Sequence, residues 1–284
     1  MVTEPEQPAT KPWRIKLKFW GTRGSTPTPH SRYLSYGGNT SCVELMIPTG
    51  EHFIFDAGTG IREMGGGLGW GPGKPPIYIF FTHFHWDHIQ GLPFFGPLYD
   101  PDRSLHFYSS PYTSSLRDTL SKQMSAPCFP VEFESLRSRC TFTELDKEPF
   151  RFGKLTIWAY QQHHPNGACG YRIEYDGAVA VYATDREHDN SVLDTVFAEH
   201  VQDADVLIHD AQYTLEEFEK FRGRGHSTWL EAVRVARAHD VKRLALFHHD
   251  PLHDDNAVSQ IVNVAQQDFD GTFGAREGEV LTIA

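Results

Sequence analysis

Basic residues are in deficit in this 284-residue chain, with 26 Lys and Arg against 37 Asp and Glu, a formal charge of −11. Long nucleic acid is normally gripped by clustered cations, so the deficit argues against a large phosphate-backbone footprint. It does not exclude a small anionic substrate, because divalent ions in a buried site would reverse the local field and leave the exterior acidic. Cysteine is scarce as well. Cys42, Cys128, Cys140 and Cys169 are scattered without a close pair. That excludes zinc-finger spacing, and a chain of this size needs no disulfide staples, so the four read as reduced thiols of a cytoplasmic protein. No apolar run approaches the length that crosses a membrane. The Gly-rich stretch from Gly65 to Pro76 lacks the GxxxxGK[ST] order of a phosphate loop. No linker divides the sequence. Residues Met1 to Pro12 are polar and Pro-containing, without the basic start and apolar stretch of a signal peptide. They read as a disordered tail ahead of one folded domain over 13–284, and with 39% apolar residues that domain can bury a sizeable core.

What the chain does have is a series of short apolar runs that stop in His or Asp. The densest is Ile77-Tyr78-Ile79-Phe80-Phe81, followed at once by Thr82-His83-Phe84-His85-Trp86-Asp87-His88. A β-branched and aromatic run this short reads as a buried strand, and the loop past a strand end is free to turn side chains inward. His83 and His85 can point one way while the chain stays extended, and Asp87 and His88 come where it can turn. One pair can serve one metal ion and the other pair a second. Imidazole and carboxylate donors suit Zn²⁺, Mn²⁺ or Fe better than Ca²⁺ or Mg²⁺. Upstream, RIKLKFW over Arg14–Trp20 alternates as a strand with one wet face, and Gly21-Thr22-Arg23-Gly24-Ser25-Thr26 is a loop able to offer backbone N–H groups to an anion. Strands follow at Cys42–Ile47 and Glu51–Asp56, and Asp56 is placed to hold the ligand histidines from behind. Downstream, strands are expected near 104–108, 139–144 and 150–159, with a polar helix over 112–125 and an extended segment over 128–134. The aromatic, Pro-rich stretch Gly91–Tyr99 is expected to line or cover the pocket mouth, with packing against the core the commoner fate of such residues. Further apolar runs end at His163-His164, at Asp185, whose two oxygens can bridge two ions, and at His248-His249.

The pattern His-x-His-x-Asp-His resembles the signature of the metallo-β-lactamase superfamily. That resemblance implies a four-layer αβ/βα sandwich of the α/β class and selects His164 and His248 from the two adjacent pairs. It thereby implies a metal set of His83, His85, Asp87, His88, His164, Asp185 and His248. A second match lies between these ligands. Val206-Leu207-Ile208-His209-Asp210-Ala211-Gln212 and Gly225-His226-Ser227-Thr228 resemble the paired His-Glu-Ala-Thr and His-Ser-Thr motifs of the phosphodiesterase branch, which contains ribonuclease Z and cyclic-nucleotide phosphodiesterases. Asp210 stands where Glu is usual, one methylene shorter. The resemblance covers roughly residues 15–251.

Two-metal phosphodiester hydrolysis is the implied chemistry, with His226 as general acid, Asp210 orienting it and Asp87 beside the attacking water. Two divalent transition metal ions are expected, Zn²⁺ first and Mn or Fe as alternatives. Ribonuclease Z commonly carries a Gly- and Lys-rich arm between the third His motif and the bridging Asp; here only Pro165 to Thr184 separate His164 from Asp185, so the arm is missing. With the acidic surface, that favours a 3′,5′-cyclic nucleotide and no long nucleic acid. The alternatives are a ribonuclease Z-like tRNA 3′-end endonuclease, a cyclic ribosyl phosphate diesterase, a thiolesterase or lactonase, and a non-catalytic metal-binding protein. Arg23 and Asn39 are candidates for contacting substrate, and a homodimer without membrane partners is expected from the same resemblance.

Overall fold

The computed structural model describes residues 13–146, 148–189 and 191–284. The tail expected over Met1 to Pro12 lies outside the described residues.

Two seven-stranded sheets face one another. The first holds β1 (Ile15–Gly21), β2 (Cys42–Met46), β3 (His52–Phe55), β4 (Ile77–Phe80), β5 (Ser104–Ser109) and β6 (Arg139–Glu144). The second holds β7 (Phe150–Phe152), β8 (Leu155–Gln162), β9 (Ala168–Tyr175), β10 (Ala178–Ala183), β11 (Val206–Asp210), β12 (Leu244–Phe247) and β13 (Thr272–Gly274). The last strand, β14 (Val280–Ile283), crosses back to pair antiparallel with β1 on the edge of the first sheet. Each sheet is half antiparallel and half parallel. β14-β1-β2-β3 and β7-β8-β9-β10 are antiparallel, while β3-β4-β5-β6 and β10-β11-β12-β13 run parallel.

Parallel neighbours need crossovers, and helices supply most of them. α1 (Gly60–Gly67) joins β3 to β4, α2 (Trp86–Ile89) is the single turn after β4, and α3 (Leu116–Gln123) lies between β5 and β6. In the second half α4 (Val192–Val201), α5 (Leu215–Phe221), α6 (Trp229–Ala238) and α7 (Asp255–Asp268) do the same. Ile15, Leu17, Phe19, Phe55 and Phe80 from one sheet meet Ile157, Tyr171, Tyr182 and Phe247 from the other in a core between the sheets. α1 and α3 pack on the outer face of the first sheet, and α4, α6 and α7 on that of the second. The layers are helix, sheet, sheet, helix, as the four-layer expectation had it. β4, β11 and β12 are buried on both faces, so their sequences are continuous apolar runs rather than alternating ones.

Four local expectations need correction. The segment 150–159 is not one strand: the chain turns at Gly153, φ +56°, and folds into the hairpin β7–β8. The helix expected over 112–125 starts only at Leu116, since Pro111 and the turn after it occupy the first positions. The segment 128–134 is not extended but turns into a short 3₁₀ helix, Phe133–Ser135, with the Phe133 ring buried. Gly91–Tyr99 forms two 3₁₀ turns whose Leu92, Phe95 and Leu98 pack into the outer core beside α1 instead of lining a mouth.

Candidate dinuclear metal centre

The centre is built where strands of both sheets run out. Three of its residues, Asp56, Asp185 and His248, follow strand ends with φ of 61°, 54° and 59°. Non-glycine residues rarely adopt this left-handed region, at a cost of roughly 1–3 kcal/mol each. The sharp turn throws each side chain across the strand ends into a common cleft. Glycine is required nearby for closeness. A Cβ on Gly24 would lie 2.3 Å from Nδ1 of His248, and one on Gly225 would lie 2.1 Å from Nδ1 of His164.

The side chains form three overlapping groups, His83, His85 and His164 in one, Asp87, His88, Asp185 and His248 in the next, and Asp185, Asp210, His226 and His248 in the third, with all donor atoms of a group within 4.8 Å of one another. Asp185 joins the first two. Its Oδ1 is 3.7 Å from His83 Nε2 and 3.8 Å from His164 Nε2, while its Oδ2 is 3.1 Å from His88 Nε2 and 3.3 Å from His248 Nε2. Asp87 Oδ2 lies 3.2 Å from His248 Nε2 and 3.4 Å from His88 Nε2.

Every ligand imidazole is held from behind by its other nitrogen. His83 Nδ1 donates to the Thr82 hydroxyl at 3.0 Å, His88 Nδ1 to Asp56 at 2.8 Å, His164 Nδ1 to the Gly225 carbonyl at 2.8 Å and His248 Nδ1 to Gln212 Oε1 at 2.8 Å. His85 is reversed: its Nε2 is 3.4 Å from the Asn166 amide, and its Nδ1 faces the cleft 3.0 Å from His164 Nε2. Asp56, fully buried, also accepts from the Thr82 N–H and hydroxyl and from the Tyr182 hydroxyl. For His83, His88, His164 and His248 such backing fixes the tautomer and leaves the cleft-facing nitrogen with its lone pair outward.

The donor set fits two divalent cations. His83 Nε2 is buried yet has no hydrogen-bond partner, which is costly for a polar atom unless something else occupies its lone pair. The charges point the same way. Burial alone would raise the Asp87 and Asp185 carboxyls, but the surrounding histidines hold both well below the usual carboxylate range. Burial depresses His83 and brings His164 down to about 4, so these rings are neutral ligands. For His88 and His248 the carboxylates outweigh burial, lifting His88 well above its ordinary value and His248 to about 9. Without cations the carboxylates keep protons on these two rings; a metal ion replaces those protons.

Beside the ligands sits His226, its Nδ1 donating to Asp210 Oδ2 at 2.8 Å. Asp210 also accepts the backbone N–H groups of Ser227, Gln212 and Asp185, so the shorter carboxylate is held at its reach by its own strand end. Burial works against its ionisation, but His226 brings its pKa down. The neighbours of the selected ligands face elsewhere. His163 reaches Asp189 at 3.4 Å on the surface, and His249 is directed to the Ala275 carbonyl.

Arg23 and Asn39, expected to contact substrate, are committed to the scaffold. The Arg23 guanidinium is buried and donates to the carbonyls of Gly37, Asp250 and His253, and Asn39 is bonded through its backbone N–H and its amide to Glu277. A polar residue in a Gly-rich loop carries no signal of direction, and these two turn inward to tie the loop to the C-terminal segment. The N–H of Ser25 in that loop, able by composition to serve an anion, donates to Asp87 Oδ2 at 2.6 Å.

Two other residues escaped the sequence reading. Gln212 holds His248, and its place at the fourth position of His209-Asp210-Ala211-Gln212 was the available signal. Glu187 accepts the N–H groups of Gly223 and Gly225, and so anchors the loop that carries His226 and backs His164. Nothing in the sequence marks it.

Seven candidate donors gathered across the strand ends of a two-sheet sandwich point to the metal-dependent hydrolase class. The family model of the beta-lactamase superfamily domain matches residues 52–249, and the chain belongs to that superfamily. Among curated relatives it is 25% identical to ribonuclease Z of Haloferax volcanii, over 95% of each chain. It is 28% identical to ribonuclease Z of Natronomonas pharaonis, over 95% of this chain and 98% of that one. Among solved structures it resembles the metallo-beta-lactamase fold protein YhfI of Bacillus subtilis, with TM-score 0.73 at 18% identity over 96% of this chain and 100% of that one.

These relatives correct two expectations. They favour the ribonuclease Z alternative over a cyclic-nucleotide phosphodiesterase, and they overturn the exclusion of long nucleic acid. The exclusion rested on the net charge and on the missing arm, and the charge count misleads here. Asp56, Asp87, Asp185 and Asp210 are buried in the centre and take no part in the outer surface. No helix among the described residues is long and apolar enough to cross a membrane.

Proposed function

We propose that the chain is a dinuclear metal-dependent ribonuclease that cleaves RNA at a 3′ end in the manner of ribonuclease Z, with Zn²⁺ as the resident ion and Mn²⁺ or Fe as ions the same donors accept. The observation that carries the reading is the shared carboxylate: Asp185 turns one oxygen to each ligand group, with His226 held by Asp210 against the same cleft. His83, His85 and His164 would hold one ion, Asp87, His88 and His248 the other, and Asp185 both. Bound there, such a pair supplies a water of near-neutral pKa and a seat for a phosphoryl oxygen.

The residues do the rest. The cleft-facing nitrogens are pre-aimed by their partners, so little reorganisation accompanies substrate entry. Asp87, held by the Ser25 N–H, would be the carboxylate that receives a proton from the attacking water. With His226 Nδ1 committed to Asp210, the proton available to a leaving alkoxide is on Nε2. We also propose that residues 13–284 act as a single domain, since the ligands come from both sheets.

The β9–β10 connection is a tight turn at Asp176-Gly177, so RNA must be gripped elsewhere than by an arm at that point. Lys220, Arg222 and Arg224, all exposed on the segment leading to His226, supply cations at the right place. The test is a turnover panel of precursor tRNA and 3′,5′-cyclic purine and pyrimidine nucleotides, with and without chelator. Chelator-sensitive cleavage of precursor tRNA is expected. Turnover of cyclic nucleotides alone would overturn the proposal.

A further inference from the structure

A pocket of about 240 Å³ opens beside His83 and His85, and neither the metal ligands' chemistry nor proton transfer by His226 uses it. Phe84 forms one wall, and Thr113, Ser114, Thr119 and Asn166 contribute the polar lining, with no Asp, Glu, Lys or Arg among them. A phosphate would find no countercharge there, so the pocket suits a neutral group.

The hydrogen-bonding capacity is one-sided. The Thr113 and Thr119 hydroxyls already donate, to the carbonyls of Ser110 and Ser115, and the Asn166 Nδ2 is turned toward His85. What remains is mostly acceptors, the two threonine oxygens and Asn166 Oδ1, with the exposed Ser114 hydroxyl free to do either. A flat group with N–H or O–H donors on its edge satisfies them, while the half-buried Phe84 ring, braced 5.7 Å from Phe81, offers an aromatic face. The volume is below the ~300–1,000 Å³ of drug-sized ligand sites, which suits one small moiety rather than a run of chain.

We infer that this pocket is a nucleoside subsite, taking the base and ribose of the nucleotide that keeps the phosphoryl group after cleavage. The inference rests on the ribonuclease reading. His164 has His85 on one side, 4.9 Å between ring centres, and His226 on another, 5.3 Å, and His226 does not line the pocket. The water oxygen bonds to phosphorus as one of its protons passes to Asp87, the bond to the leaving oxygen breaks with its electron pair, and that oxygen takes the proton of His226. The leaving group therefore departs on the His226 side. The other ester bond is untouched, and its nucleoside is directed past His85 into the pocket.

Two diesters with one leaving group separate this from general activity: uridine 5′-(p-nitrophenyl phosphate) and methyl p-nitrophenyl phosphate. Both release p-nitrophenolate, but only the first retains a nucleoside. Base stacking commonly contributes on the order of ten-fold or more per base. The wild-type protein should prefer the uridine ester by at least about that factor, expressed in KM. Ser114→Trp and Thr119→Trp fill the pocket from either end of the segment before and within α3, and each should bring the ratio of the two kcat/KM values close to one. In calorimetry on the metal-loaded wild-type protein, uridine 5′-monophosphate should bind more tightly than methyl phosphate. An unaltered ratio in both variants, or equal affinity for the two phosphates, would overturn the subsite while leaving the ribonuclease reading intact. Failure to hydrolyse either diester with metal bound would remove that reading and the subsite together.

Discussion

Each imidazole in the centre has two nitrogens, and which of them faces the cleft is decided from behind. Thr82, Asp56, Gly225 and Gln212 make that decision for four of the five ligand histidines. His226 belongs to a different set, since Asp210 takes its Nδ1. Replacing it with alanine should lower RNA turnover by about 10²–10⁴-fold with metal content by elemental analysis unchanged. A p-nitrophenyl ester, whose leaving group needs no proton, should be far less affected; equal losses on both substrates would remove His226 from proton transfer. The protons on His248 give a pH prediction for the metal-stripped protein. Its pKa is raised to about 9 from the ordinary 6.5, so the stability it contributes is fully present below about pH 6.5 and lost as pH rises through about 9. Melting temperature of the stripped protein should fall across that window while Zn²⁺ affinity climbs, as measured by calorimetry. The candidate ligands stood out because coordination admits few residue types and each sits where an apolar run breaks off, while the choice of His164 and His248 from their adjacent pairs came from the family resemblance. Arg23 and Asn39 were misread because charge and polarity in a loop do not say which way a side chain turns.

Among the elements, the strands were the most readable and the connections the least. Ile15 to Gly21 alternates inward and outward residue by residue, as its basic and apolar letters do, whereas the break at Gly153 and the late start of α3 depend on a single glycine and a single proline. The loop 222–226 illustrates what stays hidden. Its shape is set by Glu187, which acts on backbone N–H groups that every sequence possesses. Glu187→Ala should leave Gly223 and Gly225 without their buried acceptor, a loss of roughly 1–3 kcal/mol. Because Gly225 backs His164 and precedes His226, kcat should drop along with thermal stability. Glu187→Gln, which keeps an acceptor oxygen, should recover much of both. If the alanine variant melts lower but turns over normally, the loop does not position these two histidines.

At the scale of the molecule, each sheet joins an antiparallel half to a parallel half, and the site collects where strands of both sheets end. The inter-sheet core is dominated by aromatic rings such as Phe55, Phe80, Tyr171 and Phe247. Phe80→Ala should cost about 3–5 kcal/mol in denaturant unfolding, with catalysis per folded molecule little changed. The double variant Lys220→Ala, Arg224→Ala should weaken RNA binding and flatten the dependence of log affinity on log salt by up to ~1.4, about 0.7 for each single-strand phosphate deprived of its cation. Overall charge was the least informative quantity in the sequence, because a summed count cannot distinguish carboxylates that face cations from those that face water.

The origin of the ligands has one more consequence. His83, His85, Asp87 and His88 follow β4 of the first sheet, while His164, Asp185 and His248 follow β8, β10 and β12 of the second. Each cation would thus be grasped from both halves of the sandwich and would rivet them at the rim, as the aromatic rings do in the interior. Saturating two such sites shifts unfolding by several kcal/mol, on the order of 10 °C in melting temperature, and chelation should show that drop by calorimetry. In a metal-starved cell the chain would then be cleared by proteolysis as well as silenced, so its abundance would itself report the supply of the ion.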